Sequence, residues 1–158
     1  MADATKAELA KKVYDTLCAL LDEDEFDYEK EEEKLIVHFT ASGEDIPMQF
    51  VLLVDVDRQM VRMYSPLPFK VCEDKRTELA IATCVASYGM TDGSFNYDIT
   101  DGTIAFRMTA SFMESEIGAG LLQYMIACTG AMVDRYNDQF LAISKGMMSL
   151  KDFIANDA

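Results

Sequence analysis

The sequence predicts an α+β domain with a mostly antiparallel sheet. Apolar residues recur at helical spacing in separate stretches, and shorter segments between them alternate apolar and polar residues. The order is one helix, three or four strands, a helix, two strands and a last long helix, with no internal repeat and no regular βαβ alternation. We therefore expect a single domain over residues 1–158, with about five to six strands and three main helices on one face of the sheet.

The first helix and the acidic segment after it are the clearest N-terminal features. A capping box that starts at Thr5 precedes an apolar stripe and predicts a helix over residues 5–22. Residues 22–34 then hold nine acidic residues and two lysines, which is too charged to bury. Alternation at Phe26 and Tyr28 predicts a short edge strand there, and a cation site built from the acids is the alternative.

Three further strands are predicted over residues 35–40, 48–56 and 60–64 because β-branched and aromatic residues dominate them. Asp57-Arg58 is the expected two-residue hairpin loop between the last two. With that loop, Val54 pairs with Val61. The resulting core face carries Phe50, Leu52, Val54, Val61 and Met63.

The opposite face of this central hairpin is less polar than a solvated face should be. It carries Val51, Leu53, Met60 and Tyr64 beside Asp55 and Arg62. These four apolar residues are therefore candidates for a protein-interaction surface.

A second helix is predicted after Pro66 and Pro68, which end the strand segment. Asp74 is its expected N-cap and Gly89 its expected end. Because apolar residues cover much of its circumference, we expect this helix to be deeply buried.

The stretch over residues 95–108 predicts a hairpin with Asp101-Gly102 as a type I′ loop. That loop would pair Tyr97 with Phe106 and sort all the large apolar residues onto one face. A calcium loop starting at Asp92 fails, because Tyr97 stands where the EF-hand glycine is required.

Ser115 is the expected N-cap of a long third helix that stops at Gly146 and is followed by a short amphipathic tail helix. Gly118-Ala-Gly120 does not complete a dinucleotide-binding motif, because Gln123 replaces the last small residue. Gly130 belongs to a set of small residues that would let this helix approach the sheet or a second chain closely.

No motif in the chain predicts catalysis or a cofactor. His38 is the single histidine, so a zinc site lacks ligands, and no phosphate-binding or hydrolase motif occurs. Methionines are numerous, and most are expected in the core, although Met60, Met147 and Met148 are candidates for adaptable surface contacts. The complete candidate interaction surface is Val51, Leu53, Met60, Tyr64, Gly130, Met147, Leu150 and Phe153.

Charge excludes several classes of partner. The chain has 28 acidic and 14 basic residues, a formal charge of −14 that repels phosphate backbones and anionic head groups, so we expect neither nucleic acid nor membrane as a partner. No export signal and no run of about 18 apolar residues occurs, which predicts a cytoplasmic protein. The cysteines Cys18, Cys72, Cys84 and Cys128 are expected to be reduced structural thiols, with a reactive or paired Cys72 as the alternative.

Two parts of the chain carry a family resemblance: the stretch ELAIATCVASYGMTDGSFNYDITDGTIAFRMTASF and a long helix that contains DRYNDQFLAISKG. They combine a helix that ends before a G-x-F strand, an Asp-Gly hairpin, and an Asp-x-Tyr segment late in the last helix. In these features the middle and C-terminal part of the chain resembles the YbjN family of bacterial sensory transduction regulators. The resemblance implies a fold like that of type III secretion chaperones, no catalytic residues, frequent dimers, and a sheet or helices that bind another protein.

These observations lead to one expected function and one alternative. We expect a non-enzymatic protein-binding module, chaperone-like or regulatory, that acts as a homodimer and binds an unidentified protein. The alternative is a small-molecule sensor or an enzyme with a pocket between sheet and helices, lined by Phe50, Tyr97 and Phe106.

Overall fold

Ten helices and strands follow one another in the computed structural model, which describes residues 2–157 and the side chains of residues 5–157. Short 3-10 turns at Glu32–Lys34 and Glu73–Lys75 lie between some of them. The elements are α1 (Ala2–Glu23), β1 (Tyr28–Glu31), β2 (Ile36–Ala41), β3 (Met48–Asp55), β4 (Met60–Pro66), α2 (Arg76–Tyr88), β5 (Ser94–Asp98), β6 (Thr103–Ser111), α3 (Ala119–Ser144) and α4 (Leu150–Asp157). The predicted α+β class and element order are confirmed.

The six strands form one antiparallel sheet in the order β1-β2-β3-β4-β6-β5. Strands β1 to β4 follow one another as a meander, and the segment that contains α2 then leads to β5 at the far edge. Helices α1 and α3 pack against the strands, while α2 packs against β5, α3 and α4. We call the side of the sheet that carries the helices the inner face and the opposite side the outer face.

Apolar and aromatic side chains fill the space between the inner face and the helices. Phe50 stacks on Phe39 with ring centroids 4.8 Å apart, and Phe106 meets the ring of Phe95 edge-on. Phe50 and Phe106 are buried in this core, whereas the alternative function would expose them, with Tyr97, to a ligand. The aromatic rings pack closely against each other, and this packing leaves no space for a ligand between them.

The register of the central hairpin is as predicted. Val54 pairs with Val61 and Leu52 with Met63, and the core-face residues of both strands are buried. The strands end at Asp55 and Met60, so the loop is 56–59 and is centred on Asp57-Arg58, and this turn position is why the sequence is sufficient here.

The register of the second hairpin differs from the prediction by two residues. Tyr97 pairs with Ile104 rather than with Phe106, and the loop has four residues, 99–102. The Asp98 carboxylate accepts from the backbone N–H of Thr100 at 2.9 Å, and the Gly102 N–H donates to the Asp98 carbonyl at 2.8 Å. A slip of two keeps every side chain on its face, so face sorting could not detect it.

Three helix starts also differ from the predictions. Helix α1 already begins at Ala2, so Thr5 is inside it; Asp74 lies in the 3-10 turn before α2; and Ser115 lies in a turn that precedes α3. Neither α2 nor α3 has a side-chain hydrogen bond from its N-cap residue. Cap-forming residues also favour turns, and the sequence pattern does not separate the two uses.

The predicted ends of two helices agree better with the structure. Gly89 follows α2, and Gly146 follows α3 with a φ of +73°, a value that favours glycine. The Ser149 hydroxyl accepts from the backbone N–H of Asp152 at 3.0 Å and so caps the tail helix α4.

Candidate interaction surfaces

The outer face brings four of the predicted interaction residues together. Val51 pairs with Tyr64 across β3 and β4, while Leu53 and Met60 lie on the same face of these strands. All four are partly or largely exposed, and Tyr64 keeps 38% of its surface accessible. Ile36, which pairs with Leu53 from β2, extends the patch.

Sequence reasoning missed Ile36 although the signal was present. Residues on one face of a strand alternate, so Ile36 shares the face of His38 and not that of Val37. Assigning His38 to the outer face therefore assigns Ile36 to it as well.

Charged side chains frame this apolar patch. The His38 Nε2 atom lies 3.6 Å from a carboxylate oxygen of Glu29 on β1. On the other side of the patch the Asp55 carboxylate, largely buried, lies 3.8 Å from the guanidinium of Arg62. Arg107 on β6 pairs with Tyr64 and is exposed. The outer face is therefore an apolar centre with charges of both signs around it.

A shallow depression lies at one end of the outer face. It has a volume of about 400 Å³ and lies where β1, β2 and β3 meet. Its lining includes Glu29, His38, Thr40, Gln49 and Val51. The depression adjoins the apolar patch, because Val51 belongs to both.

The four C-terminal residues predicted for the surface do not join this patch. Phe153 is wholly buried and packs its ring near those of Tyr136 and Phe140, so its assignment to a surface is wrong. Leu150 is half-buried against the core, and a Cβ added to Gly130 would lie 3.7 Å from Phe50 on the inner side of the sheet. Met147 is 79% exposed but follows α3, on another part of the molecule.

Helix α2 carries a second exposed apolar surface, which we call the α2 strip. It consists of Ile81, Cys84 and Tyr88, which recur every three or four residues and so share one side of the helix. Tyr88 is 93% exposed and Ile81 is 44% exposed. The predicted deep burial of α2 is therefore wrong, because Leu79, Ala82, Thr83 and Ala86 alone account for its buried residues.

The α2 strip contains no charge. Residues 79–91 form a run of 13 without any Asp, Glu, Lys or Arg in a chain in which 27% of residues are charged. An exposed helix normally carries charged residues on its solvated side. Residues 117–133 form a longer uncharged run, so absence of charge marks the strip only together with the exposure of Ile81 and Tyr88.

The open edge of β5, the side that pairs with no other strand of the described sheet, lies beside the α2 strip, and Ser87 of α2 covers it at Phe95. The backbone N–H of Phe95 donates to the Ser87 hydroxyl at 2.9 Å, so this residue directs its backbone away from β6. By alternation, the backbone groups of Tyr97 point to the same open edge. Ile99, 49% exposed at the end of β5, completes a groove between this edge and α2.

The cysteines form no disulfide in the structure. Cys84 and Cys72 are exposed, whereas Cys18 and Cys128 are half-buried. Exposure of Cys84 follows from its place on the solvated side of α2 and differs from the expected apolar packing. Within residues 5–157 no three His, Cys, Asp or Glu side chains are grouped so that they could hold a metal ion.

Comparison with solved structures places the fold among known ones. The chain superposes on a chain of the ExsC–ExsE complex with a TM-score of 0.55 and 12% identity, over 82% of this chain and 94% of that one. It superposes on YbjN from E. coli, described as a candidate transcription regulator, with a TM-score of 0.59 and 10% identity, over 80% and 92%. The chaperone-like fold that the YbjN resemblance implied is therefore present.

Sequence comparison adds no family assignment. No family model matches the chain, and a search of curated proteins finds no match. Within the described residues, no helix is both long and apolar enough to cross a membrane.

Proposed function

We propose that this protein is a non-enzymatic protein-binding module that acts as a homodimer in the cytoplasm. The α2 strip with the open edge of β5 forms the dimer interface, and the outer face binds a second, different protein. The single observation that carries the proposal is an exposed apolar strip on α2, within the uncharged run 79–91, on a chain of charge −14.

The charge of the chain explains why the α2 strip suits a second copy. Two molecules that each carry −14 repel each other, and like charges brought face to face in an interface cost several kcal/mol. Residues 79–91 contain no acidic side chain, so contact between the two copies of this run opposes no like charges within it. Ile81 and Tyr88 supply the exposed apolar area that association would remove from water.

The open edge of β5 adds a directional element to the same interface. A two-fold axis beside α2 would place the two β5 edges antiparallel, so that each Tyr97 backbone meets its counterpart. Such pairing satisfies main-chain groups that an edge strand otherwise leaves to water. Apolar contact and backbone pairing together support a symmetric dimer.

The outer face suits a different protein. Its centre is apolar and its surroundings are charged, as in interfaces between proteins that also exist apart. Glu29 and Arg107, at opposite sides of the patch, would select the orientation of a partner through its own charges. A chain of the ExsC–ExsE complex, which has this fold, supports a protein-binding role.

Light scattering on the purified chain tests the dimer. We expect twice the monomer mass of 17.7 kDa at micromolar concentration. A monomer under these conditions would contradict the homodimer and leave the outer-face proposal standing.

Affinity capture from the source cells tests the outer face. The wild-type bait should retain a protein that the double variant Leu53→Asp, Tyr64→Ser does not, and that protein should bind the wild type again when both are purified. Circular dichroism shows whether the variant folds. Equal retention by a folded variant would contradict the assignment of the outer face.

A further inference from the structure

A cleft lies where the end of α2, the middle of α3 and the end of α4 meet. It has a volume of about 340 Å³, within the range of small-molecule sites. It is separate from the outer face and is lined by different residues. One wall is the turn after α2, which includes Met90 and Asp92, and the floor is a row of side chains on α3.

One end of the cleft presents a carboxylate. Tyr124 donates from its hydroxyl to the Oδ2 atom of Asp92 at 2.6 Å. The Oδ1 atom of Asp92 accepts no hydrogen bond within residues 5–157. Asp92 is exposed and forms no ion pair there, so a cation could reach its open oxygen.

An ion pair between Arg135 and Asp157 lies at the other end of the cleft. The Asp157 carboxylate accepts from the Tyr136 hydroxyl at 2.5 Å, and its Oδ1 atom lies 3.6 Å from the guanidinium of Arg135. Arg135 and Asp157 compensate each other's charge. The negative charge of Asp92 therefore decides which ligands the cleft attracts.

The floor between these ends is apolar. Cys128 and Met132 follow Tyr124 at intervals of four residues on α3 and face Met90 and Ala86 across the cleft. Burial, reinforced by the charge of Asp92, raises the pKa of the Cys128 thiol and keeps it uncharged. From Tyr124 to Arg135 the helix rises by about 16 Å, which leaves room for an extended apolar body.

We propose that this cleft binds a small organic amine, with its ammonium group on Asp92 and its apolar body on Cys128 and Met132. An ammonium group donates to the open carboxylate oxygen. Methionine side chains adapt to apolar ligands of varied shape.

Three matched probes test the amine: n-hexylamine hydrochloride, n-hexanol and sodium hexanoate. They share one alkyl chain and differ in the head group. We expect hexylamine at tenfold excess over its Kd to raise the unfolding midpoint by about 3–6 °C, and the other two to have no such effect.

The Cys128 thiol provides a second readout within the same protein. Hexylamine should slow its reaction with methyl methanethiosulfonate about tenfold, because the bound amine covers it. The exposed Cys72, which lies outside the proposed dimer interface, should react at an unchanged rate, as followed by peptide mass spectrometry. Equal protection of Cys72 and Cys128 would contradict a local site.

Two carboxylate variants complete the experiment. Asp92→Asn should remove both effects of hexylamine, whereas Asp138→Asn, an exposed carboxylate on α3 outside the cleft, should keep them. The proposal is overturned if hexanol acts as strongly as hexylamine, if Asp92→Asn still responds, or if no probe changes either readout. None of these outcomes depends on the dimer or on the outer face.

Discussion

The α2 strip and the outer face are both exposed apolar surfaces, and they differ in charge. The strip lies in a run of 13 residues without any charge, whereas the outer face holds Asp55, Arg62 and Arg107 among its apolar side chains. Contact through an uncharged surface is available even to a partner with the same large negative charge. Contact through a charged frame is selective, because it requires complementary charges.

The two surfaces also differ in position. The outer face lies on the helix-free side of the sheet, whereas α2 packs beside β5 and among the other helices. A dimer formed through the strip would therefore leave the outer faces of both copies open. Each surface can accordingly be changed without the other, and the following predictions use that separation.

The largest expected effect is on self-association. Replacing Ile81 and Tyr88 together by Glu should weaken the dimer by about 100-fold or more, because two like-charged interfaces would then face each other. Sedimentation equilibrium measures the change. The matched control places the same two charges at Ala7 and Ala19, exposed on α1, and should remain dimeric. Dissociation of the control alone would move the interface to α1.

The next effect is on binding of the second protein. The double variant Leu53→Asp, Tyr64→Ser should weaken binding of the captured partner by about 10- to 100-fold, the range expected when central apolar contacts are lost. The mass of the dimer should stay unchanged, since neither residue lies on the strip. A variant that becomes monomeric while folded would show that the outer face, not α2, joins the two copies.

A smaller effect separates the surfaces by ionic strength. Raising NaCl from about 0.05 to about 0.5 M should slow association of the partner severalfold if charge guides it. The same change should leave dimerisation unaltered or strengthen it, because salt screens the repulsion between two acidic chains. Surface plasmon resonance and light scattering give the two responses. Equal weakening of both contacts would contradict the division of roles.

The smallest effect concerns the fold that supports both surfaces. Burial and the hydrogen bond to Asp157 raise the pKa of Tyr136 to about 12. An unfolded tyrosine titrates near 10, so stability from the neutral phenol is complete below about pH 10 and is lost as pH rises towards 12. This loss amounts to roughly 1 kcal/mol at about pH 11.

The variant Tyr136→Phe isolates this alkaline response. It lacks the titrating group, so its unfolding midpoint should fall less steeply than that of the wild type between about pH 9.5 and 11.5. Differential scanning calorimetry measures both slopes. Parallel slopes would show that other tyrosines account for the alkaline loss.

Much of the sheet follows from local patterns. The central hairpin could be predicted to the residue pair because Asp57-Arg58 marks the centre of the turn between its two strands. The same register placed Val51, Leu53, Met60 and Tyr64 together on one face. The charge-free run that contains the α2 strip was equally visible in the sequence.

Other features depend on contacts between distant parts of the chain. The four-residue loop of the second hairpin is held from outside, since the Arg76 guanidinium donates to the Thr100 carbonyl at 2.8 Å and the Val71 N–H donates to the Gly102 carbonyl. A Cβ on Gly102 would lie 2.7 Å from the Val71 carbonyl oxygen, so glycine is required for this approach. No pattern within residues 95–108 contains that information.

The sequence by itself determined the α+β class, the order of elements and which face of each central strand is apolar, because these depend on spacing along the chain. Tertiary structure alone decided that Phe153 is buried and Tyr88 exposed, although both are aromatic residues on apolar helices. Phe153 meets the rings of Tyr136 and Phe140, whereas Tyr88 lies on the side of α2 that no other element covers. Whether an apolar side chain becomes core or surface depends on whether another element packs over it, and that is a property of the assembled layers.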